Sequence, residues 1–213
     1  MKKSILALAL FASALPAMAS DVYVGLGFPG LFGIGFARPL NASFGLRAEY
    51  SGGIKVSKDG NQEGVNVVGS LQGSRLGAFA DYYPFQGGLR LVAGLTSNDI
   101  QAKLTSTGTG TAQINGKQVD MSGQRFDITV KYPSSTPYLG IGWGHQQSDT
   151  KGLGGYLDAG VMVGSFGISA STSLVNVQGI TQADVDAQIA KISDATNKLS
   201  VLPSVSLGLV YRF

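Results

Sequence analysis

The chain has 213 residues, of which 31 are glycine and none cysteine; 14% are charged and 44% hydrophobic. An ordinary soluble domain carries about 25% charge and about 7% glycine, so this chain has too few charges for a water-facing surface, while its hydrophobicity excludes disorder. Zero cysteine excludes a disulfide scaffold, a thiolate zinc site, an iron–sulfur cluster, a cysteine nucleophile and a lipidated N-terminal cysteine.

Lys2 and Lys3 precede an apolar run from Ile5 to Leu15, then Pro16-Ala17-Met18-Ala19. A charged start, a short apolar stretch and small residues at an A-x-A site mark residues 1–19 as a secretory signal peptide cut after Ala19. Removing it takes the basic count from 16 to 14 against 13 acids, leaving 14 − 13 = +1. The pI of about 9.1 is then mostly the leader's, and nucleic acid drops out as a partner. No later stretch has the 18 or so apolar residues of a transmembrane helix.

Residues 20–213 read as one domain of strands with period two. Val22–Phe28 and Phe32–Arg38 alternate apolar residues mostly with glycine and are split by Pro29-Gly30. Phe44, Leu46, Ala48 and Tyr50 alternate with Gly45, Arg47, Glu49 and Ser51. Leu76, Ala78, Ala80 and Tyr82 alternate with Arg75, Gly77, Phe79 and Asp81. Leu89, Leu91, Ala93 and Leu95 alternate with Arg90, Val92, Gly94 and Thr96. Leu139, Ile141 and Trp143 follow, with glycine between them, and Leu157, Ala159, Val161 and Val163 alternate with Tyr156, Asp158, Gly160 and Met162. The last strand sets Leu207, Leu209, Tyr211 and Phe213 against Ser206, Gly208, Val210 and Arg212. That makes eight strands.

Two connections carry structure of their own. In 97–134, Ile114-Asn115-Gly116-Lys117 fits a type I′ hairpin, and Phe126, Ile128, Val130 and Tyr132 alternate; the flanking strands are expected to extend past the membrane into an outer hairpin. In 181–199, Val185, Ile189, Ile192 and Leu199 follow helical spacing, and Thr181 with Asp184 makes a capping-box signal. This predicts one short helix, read either as a lid on the outer loops or as a helix that contacts a partner or lipid.

Alternation of this kind fits a soluble sandwich with one wet face or a transmembrane barrel with one lipid face. Glycine, serine and isolated charges on the polar face suit a narrow interior, and aromatics stand at strand ends, where interfacial belts form: Tyr50, Tyr82, Tyr83, Trp143 and Phe213. The fold class is therefore all-β, an eight-stranded antiparallel transmembrane barrel with short periplasmic turns and longer outer loops near 56–73, 97–134 and 166–202. Pro29-Gly30 is the one short turn on the outer side. The first two strands look short against the 9–11 or so residues of a crossing.

Tyr211-Arg212-Phe213 resembles the C-terminal signal of Gram-negative outer-membrane proteins, with Tyr211 and Phe213 as the residues read by the barrel assembly machinery. Gly33–Phe36 followed by Phe44–Tyr50, Asp81–Phe85 with Gly88–Leu95, Pro137–Gly144 and Pro203–Leu209 resemble a family of small proteobacterial outer-membrane proteins, and more widely the eight-stranded barrels of the OmpA, OmpX and OmpW kind. The resemblance implies the outer membrane of a Gram-negative bacterium after Sec-type export. It implies lipid and lipopolysaccharide as surroundings and a monomeric state, and it carries over no catalytic or ligand residue.

Parity places Arg47, Glu49, Arg75, Asp81, Arg90, Asp158 and Arg212 inside. An eight-stranded interior is just filled by side chains, and a charge away from water must be paired. These residues are read as an ion-pair network that plugs the lumen, with a narrow polar conduit as the alternative. No enzyme is expected. His145 with Ser148 is the one pair suited to acyl transfer, and parity puts it on a periplasmic turn, where His145 reads as an interfacial residue beside Trp143. One histidine and scattered acids point to no metal. Gly25-x-Gly27-x-x-Gly30 has dinucleotide spacing, but Pro29 and a following strand replace the helix it needs, so no cofactor is expected.

Overall fold

A computed structural model describes residues 20–62, 65–145, 151–196 and 200–213; the expected leader lies outside them. The elements are β1 (Asp21–Phe28), β2 (Phe32–Pro39), β3 (Phe44–Gln62), β4 (Val65–Tyr82), β5 (Leu89–Gly108), β6 (Thr111–Ile114), β7 (Lys117–Asp120), β8 (Gln124–Lys131), β9 (Ser135–Trp143), β10 (Gly152–Val163), β11 (Gly167–Thr172), α1 (Gln182–Thr196) and β12 (Val201–Arg212). Eight strands close an antiparallel ring, β1-β2-β3-β4-β5-β9-β10-β12, in which β12 pairs back onto β1 from Asp21↔Arg212 to Phe28↔Val205. Closure leaves no free strand edge at this level.

The two ends of the ring meet: Ser20 and Phe213 exchange backbone hydrogen bonds of 3.3 and 3.1 Å. An even strand number then puts the connections 40–43, 83–88 and 144–151 at this terminal end, and the long connections at the opposite, distal end. Residues 146–150 lie outside those described.

The expected loop near 56–73 is largely strand; in 97–134 the expected extension is seen in β5, while a separate strand, β8, stands where an extended β9 was expected. β3 and β4 pair continuously from Phe44↔Tyr82 to Gln62↔Val65, with a bulge between Ser51 and Ile54, and β5 runs on to Gly108. Above the ring, β8 takes over from β9 as the partner of β5, and β11 pairs with β8. Pro133, which has no N–H for the ladder, sits at the β8–β9 break; Tyr132 N–H to Ile100 O (2.9 Å) and Asn98 N–H to Ser134 O (2.8 Å) carry the pairing across it. The result is an open five-stranded sheet, β3-β4-β5-β8-β11, rising from one side of the barrel.

Side-chain polarity inverts between the two levels. On β5 the outward residues are Leu89, Leu91, Ala93 and Leu95, then Ser97, Asp99, Gln101, Lys103 and Thr105; the inward ones change from Arg90 and Thr96 to Ile100, Ala102 and Leu104. β4 does the same, from outward Tyr82, Ala80, Ala78 and Leu76 to Ser74, Gln72 and Ser70. The cross-strand row Lys55↔Gln72↔Gln101↔Lys131 continues the polar outer face. This accounts for the first two strands. β1 and β2 have eight residues each, and the apolar outward runs of β3 (Phe44–Tyr50) and β5 (Leu89–Leu95) are no longer. The extra length of β3, β4 and β5 has a polar outer face and lies beyond the apolar band.

A distal lobe completes the molecule. β6 and β7 form the hairpin expected at Asn115-Gly116, both residues at positive φ (50° and 81°), as a type I′ turn requires. α1 covers Gln182–Thr196, and 197–199, including Leu199, lie outside the described residues. Its N-terminus is closed as the capping signal anticipates: the Asp184 carboxylate accepts from Thr181 N–H (3.0 Å), and Thr181 Oγ1 accepts from Asp184 N–H (3.3 Å). Val185 and Ile189 bury against Val65, Ile114, Val119, Met121, Leu174 and Ile180. The helix is packed as a lid on the distal strands.

Candidate functional site

The inward alternation of the ring strands brings Arg47, Glu49, Arg75, Asp81, Arg90 and Asp158 together in one buried network. β3 supplies Arg47 and Glu49 two residues apart on the same face. Arg47 is the hub: it reaches Glu49 at 3.3 Å, Asp81 at 3.2 Å and Asp158 at 3.1 Å. Arg90 donates to Asp158 at 2.6 Å and to the Gly144 carbonyl at 2.7 Å, and approaches Asp81 at 3.8 Å. Arg75 pairs with Glu49 and donates to Ser204 Oγ at 2.7 Å. A guanidinium has five donors in a planar fork, so one arginine can join several carboxylates.

Aromatic rings fill the space between the charges. Arg47 stacks over Phe79 at 4.8 Å, and Arg75 lies 5.8 Å from Phe79 and 5.7 Å from Tyr138. Tyr23 donates to Glu49 at 3.1 Å. Arg90 and Tyr23 are 0% and 1% exposed.

Arg212 stands apart from this network, at the terminal end. It grips Asp21 with two bonds, 2.7 and 2.8 Å, and His145 Nδ1 lies 3.1 Å from the same carboxylate. Asp21 balances the inward charge: four guanidiniums (Arg47, Arg75, Arg90, Arg212) face four carboxylates (Asp21, Glu49, Asp81, Asp158) among the described residues. Alternation from Val22 places Asp21 inside, so that signal was present in the sequence.

His145 differs from its expected interfacial place. Gly144 (φ 96°) and His145 (φ 51°) break the strand geometry after Trp143 and turn the imidazole into the barrel, where it is 3% exposed and packs on Tyr23 and Tyr156. Its Nε2 has no hydrogen-bond partner among the described residues. Ser148 lies outside the described residues. Among the described residues there is no group of three or more His, Asp or Glu side chains arranged to hold a metal ion.

Of the aromatics expected at the barrel surface, Tyr50, Tyr82, Trp143 and Phe213 point outward and are exposed, as is Tyr211. Tyr83 does not: it is 3% exposed, inside the terminal end. Asp81 is inward and Tyr82 outward, so period two turns Tyr83 inward.

Small gaps in the interior include two at opposite levels of the barrel. One lies at the terminal end beside Asp21, Tyr83, His145 and Arg212. The other lies under the β1–β2 turn beside Gly25, Gly30, Glu49, Arg75 and Tyr156.

No protein-family model and no curated protein matches the chain. Among solved structures it is similar to CarO of Acinetobacter baumannii, at 21% identity over 91% of this chain and 97% of that one, with a TM-score of 0.56. It is also similar to CarO2 of the same organism, at 19% identity over 92% and 99% of the two chains, with a TM-score of 0.59. At these identities the likeness shows a shared fold, and that fold is an eight-stranded antiparallel β-barrel.

Proposed function

We propose that the mature chain resides in the outer membrane of a Gram-negative bacterium as a non-catalytic barrel with a closed lumen and a structural or surface-interaction role. The observation that carries this reading is the pairing of the lumen charges. Arg47, Arg75, Arg90 and Arg212 each meet a buried carboxylate, which leaves an ion little charge to follow through the interior. The apolar outward band gives the lipid contact, and Tyr82, Trp143 and Phe213 at the terminal end suit a periplasmic-side aromatic belt. Exposed Tyr211 and Phe213 are available to the assembly machinery. The lobe with α1 then faces outward, among lipopolysaccharide, and is the part offered to other surfaces.

Planar-bilayer recording of the purified protein tests this. Silence is expected from the wild-type chain. Reproducible steps that change in Arg90→Ala or Asp158→Ala would support instead a narrow channel that joins the two interior gaps. A lipid A acyl-chain loss that disappears in His145→Ala would overturn the non-catalytic reading.

A further inference from the structure

The inner face of the five-stranded sheet is apolar and only partly covered. Reading across the strands, one row is Val56↔Leu71↔Ala102↔Val130↔Ile168 and the next is Lys58↔Gly69↔Leu104↔Ile128↔Ala170. On the terminal side of these rows, Ile100 and Tyr132 are sealed into a core with Phe79, Tyr138 and Met162. On the distal side, Val67 and Phe126 pack under the lobe core. The two rows between are open on β3, β4 and β5, where Val56 is 59% exposed, Leu71 45% and Leu104 40%, and half-buried on β8 and β11. The outer face of the same strands is polar apart from Val68, so this is an apolar strip on the inner side of the sheet.

We infer that this strip is a binding site for a free long-chain fatty-acid anion, with the acyl chain lying across the strands and the carboxylate at Lys58. The two rows stand about 7 Å apart along the strands, so one extended chain laid across the strands touches both. Five strands at a spacing of about 4.8 Å make the strip about 19 Å long, the reach of a long acyl chain. Lys58 ends one row at the unpaired edge of β3, on the same face as Val56, with no salt-bridge partner among the described residues. It is placed to take one anionic head. A second copy of this chain fits less well, since its β3 edge would bring Lys55 and Lys58 against the same cations.

This inference does not depend on the closed lumen or on which side of the membrane the sheet faces. Its test uses the full-length protein in phosphatidylethanolamine nanodiscs with a photoreactive palmitate. Mass spectrometry is expected to place the label within 56–71, 102–104 and 128–130, with excess palmitate competing and palmityl alcohol competing poorly. Lys58→Glu is expected to lower the yield by about three- to fivefold, the size of one exposed ion pair. Leu104→Gln is expected to lower it independently of the head group. Heat-modifiable migration of both variants confirms that the barrel is folded. Label confined to the outward faces of 76–82 and 89–95 would overturn the proposal. So would equal competition by the alcohol, indifference to Lys58→Glu, or chain-to-chain crosslinks through Val56 in place of ligand adducts.

Discussion

The barrel and the sheet above it are built from the same strands with opposite polarity. In the barrel, β4 and β5 turn Leu76, Leu91 and Leu95 outward and Arg75, Asp81 and Arg90 inward; a few residues further on they turn Gln72, Gln101 and Lys103 outward and Leu71, Ala102 and Leu104 inward. The backbone alternation does not change. On the proposed membrane reading, what changes is the medium on the outward side, lipid at one level and water at the other. Folding energetics differ accordingly. The barrel gains from closure and from pairing every inward charge, because an unpaired one in that interior is expensive. The lobe gains from an ordinary apolar core around Met121, Leu174 and Ile180.

The contrast can be broken from the inside first. Arg47→Ala leaves Glu49, Asp81 and Asp158 short of a partner and is expected to cost about 3–5 kcal/mol. Lys103→Ala on the outer sheet is expected to stay within about 0.5 kcal/mol. Urea unfolding in lipid vesicles, followed by tryptophan fluorescence and heat-modifiable migration, measures both. From the outside, Leu91→Arg puts a charge on the lipid face and is expected to cost about 2–4 kcal/mol by the same assay, whereas Gln101→Arg on the same strand face is expected to be near neutral.

A third substitution separates the regions by what unfolds. Met121→Ala opens a cavity in the lobe core, an expected loss of about 2 kcal/mol. The loss is expected to be local: protease cleavage within 109–125 and 173–196 rises while the barrel keeps its heat-modifiable band. The smallest effect is that of pH. Hydrogen bonds from Lys117, Thr181 and Asn115 hold the Asp184 carboxyl well below the usual carboxylate value of 3.8. A lowered folded value means that the contribution is complete above the unfolded value and is lost as pH falls through the folded one. Pepsin cleavage at the start of α1 is therefore expected to rise as pH drops from about 4 toward 2, and Asp184→Asn is expected to show this sensitivity already at higher pH.

Much of this was legible in residue order. Alternation alone finds the eight ring strands and seven of the eight inward charges among the described residues, because period two is all that a barrel wall demands. The Asn115-Gly116 turn and the Thr181–Asp184 cap declare themselves by local chemistry. The extension of β3 and β4 past Ser51 and Arg75 is hidden, since Lys55, Ser57 and Asp59 on the outer face look like loop residues. His145 is hidden for a different reason: two positive-φ residues reset its direction, and parity cannot cross such a break. Tyr83 could have been placed by extending the count from Asp81 by two.

The central claim is that β5 passes from lipid to water between Leu95 and Asp99 on one unbroken outward face. The chain has no cysteine, so single replacements at Leu91, Leu95, Asp99, Lys103 and Thr107 can be labelled in lipid vesicles with a membrane-impermeant maleimide. The account expects protection at Leu91→Cys and Leu95→Cys and full labelling at Asp99→Cys, Lys103→Cys and Thr107→Cys. Uniform labelling along all five positions, or protection that continues to Thr107, would contradict it.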